Sequence, residues 1–296
     1  MKLAVIIVSY NTKPYLQKCL KTLSKSNYPT KDLSIVVVDN ASTDGTVAEL
    51  KVLFQDVTWV KLDENTGFSR ANNIGIKRAG EADYYLFLNP DTEVLPSGLS
   101  KMVSYLESNP DVGILTPYVK LTDGLIDDAC HRGFPTPWNA FCHFSGLASM
   151  FPRSLLFNGY HLGYRSLDKI HEIDACVGAA MLVRKKVGED IGWWDEDFFW
   201  YGEDLDFCYK AKERGNKIVF NPDVVVLHHK GVSGGIKKKS SNYSNVDRLT
   251  KKRAQEARFD AMIIFYKKHY ANKYPKILTL IVTSFIRIIK VIKVGI

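Results

Sequence analysis

The chain has 296 residues, 46% hydrophobic and 24% charged, enough to bury a sizeable core as one large α/β unit. Its five cysteines, Cys19, Cys130, Cys142, Cys176 and Cys208, are scattered, odd in number and without metal-like pairing; this excludes a disulfide framework and reads as reduced cytosolic thiols. The formal net charge of +8 implies an acidic partner, yet no helix-turn-helix, zinc module or RNA-recognition signature is present, so nucleic acid is set aside and a membrane surface fits better.

An apolar run from Lys2 to Ser9 predicts a core strand and not a signal peptide, because it passes straight into Tyr10-Asn11-Thr12 and a helical stretch carrying Leu16, Cys19, Leu20 and Leu23. Leu33 to Val38 predicts a second strand, ending on Asp39. This β-α-β order favours a parallel sheet with right-handed crossovers. Asp39 is either an acceptor for a base or ribose or an ordinary loop residue, and the following Ser42, Thr43 and Asp44 offer a helix N-cap. Tyr84 to Leu88 predicts a buried parallel strand that runs into Asn89-Pro90-Asp91. Ligand crevices in open α/β sheets lie beyond the carboxyl ends of strands, so Asp91 is a candidate cation and diphosphate ligand, with a plain turn as the alternative.

Glu203-Asp204-Leu205-Asp206 places three carboxylates at a predicted helix start. Asp204 and Asp206 project about 200° apart there and cannot both face one acceptor. The same cluster also suits the helix macrodipole without any catalytic role. Upstream, Trp193 to Tyr201 concentrates aromatics beside acids, either as a wall on which a sugar stacks, with Trp194 and Trp200 as candidates, or as core. Val224 to Leu227 predicts a strand running into His228-His229, whose rings alternation sends to opposite faces, so that one reaches a pocket. An amphipathic helix is predicted over Asp247 to Tyr270. In the tail, Lys276, Thr279, Thr283, Arg287, Lys290 and Lys293 form one polar stripe against a broad apolar face. Charge interrupts this helix too often for a transmembrane span; it is expected in the headgroup plane, with packing on the protein body or on a second copy in a homodimer as the alternative.

Seven segments, in order, resemble glycosyltransferase family 2, the inverting GT-A sugar transferases: Ile6 to Asn11, Val38 to Thr46, Asn65 to Asn73, Leu88 to Asp91, Val177 to Arg184, Gly202 to Asp206 and His228 to Ser233. Within it the chain is most similar to the rhamnosyltransferase-type branch. The resemblance implies a mostly parallel, Rossmann-like nucleotide-binding sheet flanked by helices over residues 1–235, with a nucleotide-sugar half at 1–116 and an acceptor half at 117–235. Residues 236–296 would then form a linker and membrane-associating amphipathic helices. It implies donor contacts from Ser9, Asn11, Asp39, Asn65, Gly67, Arg70, Asn89 and Asp91, and a Mg²⁺ or Mn²⁺ ion held by Asp91 and by His228 in preference to His229. Asp204 would be the base, with Glu203 beside the acceptor. Asn89 stands where the family normally carries a second acid, which weakens the cation site and leaves open a non-catalytic scaffold. The implied donor is dTDP-rhamnose, with a UDP-sugar as alternative, and the implied acceptor a lipid-linked saccharide at the cytoplasmic face of the membrane. The Gln-x-x-Arg-Trp motif and spans of processive synthases are absent, so transfer of a single sugar is expected. Pro117 to Ile170 departs from the family pattern and none of its residues is assigned a role. Lys230 to Asn245 is expected to be a lid or a disordered loop.

Overall fold

Runs of β-branched and aromatic residues alternate with amphipathic stretches along the first two thirds of the chain, and these runs form the strands, most of them buried. The computed structural model of the protein describes residues 1–229 and 248–294, so the expected lid and most of the linker lie outside the described residues. The strands are β1 (Leu3–Ser9), β2 (Leu33–Asp39), β3 (Thr58–Lys61), β4 (Tyr84–Leu88), β5 (Thr92–Val94), β6 (Val112–Leu121), β7 (His171–Ile173), β8 (Ala180–Arg184) and β9 (Lys217–His228). The helices are α1 (Lys13–Leu23), α2 (Thr46–Leu53), α3 (Phe68–Ala79), α4 (Gly98–Ser108), α5 (Pro137–Phe144), α6 (Leu147–Met150), α7 (Lys185–Ile191), α8 (Glu203–Glu213), α9 (Arg248–His269) and α10 (Lys276–Val294).

Among the described residues the strands form one mixed sheet in the order β3-β2-β1-β4-β8-β6-β9-β5, with β7 also on β9. β1, β2, β3 and β4 are mutually parallel, as the β-α-β order predicts. β8 runs antiparallel to both β4 and β6, and β9 is parallel to β6. Two reversals restore the original direction, so β1, β2, β4, β6 and β9 all deliver their carboxyl ends to one edge. Ser9, Asp39, Asp91 and His228 are thereby collected from four distant stretches of sequence. The division expected between residues 116 and 117 falls inside β6, a single strand from Val112 to Leu121.

Ile6, Ile7, Val37, Val38, Leu86 and Phe87 lie fully buried at the centre of this sheet. Helix α3 sits directly on it, and Gly75 makes that possible: a Cβ there would come within 2.5 Å of the Ile6 side chain. The chain reverses after α8, and the hairpin of α9 and α10 packs behind that helix through Phe198, Tyr209, Phe265, Tyr266 and Tyr270.

Candidate active site

The tip of β4 and the tip of β9 meet because β5, only three residues long, folds back from Asp91 to pair with β9 in a register that sets Thr92 opposite His228. His228 Nε2 lies 3.2 Å from Asp91 Oδ1, and both side chains are buried. The other ring nitrogen, Nδ1, lies 3.1 Å from Asp127 Oδ2. Asp127 comes from the loop after β6, where its Oδ1 caps a short turn by accepting from Ala129 N. The imidazole is thus fixed between two carboxylates. Burial opposes its charge, but Asp91 and Asp127 outweigh this and push the His228 pKa up to about 9. For Asp91 burial likewise disfavours the charge, and the adjacent His228 holds its carboxyl below the usual range. His229 points elsewhere, to Glu93 at 2.7 Å, as strand alternation predicts.

The chemistry of these groups suits a divalent cation. An oxygen donor and a nitrogen donor converge at Asp91 Oδ1 and His228 Nε2, while the carboxylate on Nδ1 is the usual means of orienting a ligating imidazole. No cluster of three or more such protein ligands is present among the described residues. Two protein ligands with phosphate oxygens completing the shell is a common arrangement for Mg²⁺ or Mn²⁺.

A second pair of charges lies at the start of α8. Gly202, at φ 83°, turns the chain into the helix, and Glu203 and Asp204 follow in its first turn, both buried. Arg132 Nη2 donates to Asp204 Oδ2 at 2.5 Å and to the Cys176 carbonyl at 3.3 Å. Asp206 faces away, to His269 at 2.7 Å and Lys210 at 2.8 Å, which agrees with the angular separation read from the sequence. Glu203 Oε2 is buried without a hydrogen-bond partner among the described residues; burial and then the neighbouring Asp204 carboxylate push the Glu203 pKa up to about 8. Asp127 and Arg132 are only five residues apart, which limits their separation to about 18 Å even in extended chain. One short segment therefore reaches both His228 and Asp204. Sequence reasoning assigned it nothing, since Asp127 meets a partner 101 residues away and no local periodicity signals the contact.

The residues expected to contact the donor differ in their settings. Asp39 is buried, its Oδ2 accepts from Ser42 N at 3.1 Å, and its Oδ1 has no partner among the described residues. Burial raises the Asp39 pKa, offset in part by Ser42. Arg70 stands exposed in the first turn of α3. Asn11, at φ 52°, accepts from Thr43 N at 2.8 Å and donates its own N–H to Ser42 Oγ, stapling the loop after β1 to that after β2. The N-cap of α2 is Gly45 and not one of the expected side chains; Asp44, just before it, accepts from Thr46 N and, across the sheet edge, from Lys13 N at the start of α1. Ser9 is fully buried and shares a 2.9 Å hydrogen bond with Thr12. Asn65 accepts from Asn40 Nδ2 and Gly67 N. Asn89 donates its N–H to Ala179 O, its carbonyl accepts from Thr92, and its side chain is half-buried.

One expectation needs correction. Trp194 does not form an acceptor wall: it is 2% exposed and packs edge-on against Phe68 and Phe87, deep in the core. Aromatics serve interiors as readily as ligand surfaces, and the apolar neighbours decided the matter. Trp200 remains half-buried and stacks on Tyr201, with ring centroids 5.9 Å apart. Gly67 is held at φ 83°, and it permits a close approach of the Phe199 backbone; a Cβ would lie 2.6 Å from the Phe199 carbonyl oxygen.

Comparison with known proteins agrees with this fold. An L-rhamnosyltransferase of Mycobacterium tuberculosis named for N-acetylglucosaminyl-diphospho-decaprenol is 28% identical over 247 residues, covering 79% of this chain and 78% of its own. The rhamnosyltransferase WbbL of Escherichia coli is 26% identical over 235 residues, covering 76% and 82%. Among solved structures, the mannosyltransferase PcManGT of Pyrobaculum calidifontis, in complex with GDP-Man and Mn²⁺, aligns over 93% of this chain and 65% of its own, with a TM-score of 0.61 at 18% identity. At that identity the likeness is one of fold, and the fold is GT-A. The family profile described as "Glycosyl transferase family 2" matches residues 4–192. The chain therefore belongs to glycosyl transferase family 2, and it is a glycosyltransferase.

Proposed function

We propose that this glycosyltransferase is inverting and metal-dependent, and that it moves one sugar, rhamnose from dTDP-rhamnose, onto a lipid-linked saccharide in bacterial cell-surface polysaccharide synthesis. The observation that carries the reading is His228 held between Asp91 and Asp127 on the same short segment that brings Arg132 to Asp204. The two relatives named as rhamnosyltransferases support the sugar, and the decaprenol-linked name of one supports the lipid acceptor.

Asp91 and His228 would hold a Mg²⁺ or Mn²⁺ ion, which offsets the negative charge of a leaving diphosphate. Asp204 takes the proton from the acceptor hydroxyl as that oxygen forms its bond to the anomeric carbon. The bond from that carbon to the diphosphate oxygen breaks on the opposite side, and the configuration inverts. Arg132 holds the Asp204 carboxylate in one orientation. Glu203, protonated at neutral pH because its pKa is about 8, keeps an O–H available to a hydroxyl of the acceptor. Asp39, with one carboxylate oxygen unpartnered, is the group that would accept from the base or ribose of the nucleotide. Trp200 remains a candidate for the acceptor side. The enzyme would work at the cytoplasmic face of the membrane as a peripheral protein; no helix among the described residues is long and apolar enough to cross one.

The test is turnover of the full chain with a polyprenyl-diphosphate-linked N-acetylglucosamine acceptor and Mn²⁺, comparing dTDP-rhamnose with UDP-sugars. Asp204→Asn is expected to lower kcat by about 10²–10⁴-fold while donor binding persists. Absence of turnover by the intact protein with every donor would point to a non-catalytic scaffold, and turnover with a UDP-sugar alone would overturn the donor assignment.

A further inference from the structure

Helix α10 does not present its sides as a helix completing a soluble core would. The flank against α9 contains buried Thr283 and Ile286 and the ion pair of Lys290 with Asp260, at 2.7 and 2.9 Å. The opposite arc, about 140° wide at 100° per residue, carries Ile277, Leu280, Ile281, Phe285, Ile288 and Ile292. All six are exposed, Ile277 and Ile292 by about 70%. The apolar face thus looks outward, with much of the polar stripe turned toward the protein.

A second exposed apolar surface adjoins it, built from the segment that departs from the family pattern. Trp138, Phe141 and Phe144 recur at every third position along α5 and are all exposed, while Cys142 anchors the helix from its buried side. Trp138 donates Nε1–H to the Leu156 carbonyl at 2.8 Å, and its ring neighbours Phe141 at 5.7 Å and Phe157 at 6.2 Å. Met150, Leu155 and Leu156 extend the surface. The two surfaces touch where the Phe144 ring lies 6.4 Å from that of Phe285.

Charge identifies the occupant. Residues 137–167 contain two arginines, Arg153 and Arg165, both exposed, and no aspartate or glutamate; residues 261–296 contain seven lysines and arginines and again no acid, although Lys268, Lys273 and Lys290 pair with carboxylates elsewhere in the chain. A second copy seated by two-fold symmetry would bring these basic segments against each other. An anionic lipid surface is complementary to both the charge and the apolar face, and exposed tryptophan beside basic residues is typical of the membrane interface.

We propose that α10 and the 137–157 segment form a single seat for an anionic bilayer, with both elements entering the headgroup boundary. This deepens the membrane reading above and rests on it. The test is co-sedimentation of the full chain with vesicles of phosphatidylcholine, with and without about one-third phosphatidylglycerol. The protein is expected to sediment with the anionic vesicles and to be released by salt. A Trp138→Asp, Phe141→Asp pair and an Ile281→Asp, Phe285→Asp pair should each weaken binding at least about tenfold, with thermal stability and donor binding retained. Brominated lipid should quench tryptophan fluorescence, and Trp138→Phe should abolish most of the quenching, a readout that requires no disruptive variant. If the α10 pair releases the protein but the α5 pair does not, the two-part seat is wrong and membrane association stands. If the wild type ignores both kinds of vesicle, both fall. Apolar variants that split a dimer without changing lipid binding would assign the face to a second copy and overturn the proposal.

Discussion

His228 is held by groups that differ in how visible they are before folding. His228 ends β9 and Asp91 stands three residues beyond the end of β4, and a polar residue at or just past a strand tip is conspicuous in the sequence. Asp127 lies in a loop with no periodic pattern, and only the pairing of β6 with β9 brings it to Nδ1. Its carboxylate accepts Nδ1–H and so leaves Nε2 directed at Asp91. Removing that carboxylate frees the ring to rotate away from Asp91. Asp127→Asn is therefore expected to weaken Mn²⁺ binding by about 10–100-fold, while the fold and donor binding at saturating metal persist. Titration of metal-dependent activity, or calorimetry with Mn²⁺ and a nucleoside diphosphate, would measure this; an unchanged metal affinity would show that Asp127 has no positioning role.

At the scale of elements, strand tips and their order were legible, and strand direction was not. The apolar run that becomes β8 looks like any other buried strand, yet it runs antiparallel between β4 and β6, because an apolar run specifies burial and carries no direction. The aromatic segment before α8 was similarly ambiguous: Trp194 became core, while Phe199 closed over the loop before α3. Phe68 N donates to Phe199 O at 3.0 Å, and Gly67 is the residue whose missing side chain allows the approach. Gly67→Ala would place a Cβ 2.6 Å from that carbonyl oxygen on a backbone at φ 83°, which L side chains rarely adopt. The variant should lose about 1–3 kcal/mol of stability. It should also raise KM for the donor more than it lowers kcat, since the loop lies beside Asn40 and not beside Asp204. Equal urea midpoints for variant and wild type would show that the loop relaxes without cost.

Across the whole molecule, the C-terminal hairpin is bolted to the helix that carries the proposed base. His269 of α9 pairs with Asp206, and Tyr209 packs against Phe265 and Tyr270, so α8 presents Asp204 on one side and docks the hairpin on the other. The amphipathic pattern of the tail was readable, but which side faced outward depended on the α9 contact. The first turn of α8 collects Glu203, Asp204 and Asp206 within a buried region where Arg132 pairs with Asp204 and Lys210 with Asp206. Glu203 bears the consequence. Its ordinary value is 4.5, and burial together with Asp204 raises it to about 8 in the folded protein. Between those two values the native state holds a proton that the unfolded chain releases, so this group's contribution to stability is complete below about pH 4.5 and is lost as pH rises through about 8. Glu203→Gln cannot ionise and removes that dependence. The variant should gain stability relative to wild type progressively from about pH 5 to about pH 8 and hold a constant advantage above, a difference on the order of 1–3 kcal/mol after allowance for relaxation around the buried charge. Urea unfolding at about pH 5, 7 and 9 would measure it, and parallel stability profiles for the two proteins would mean that Glu203 keeps its charge in the folded state.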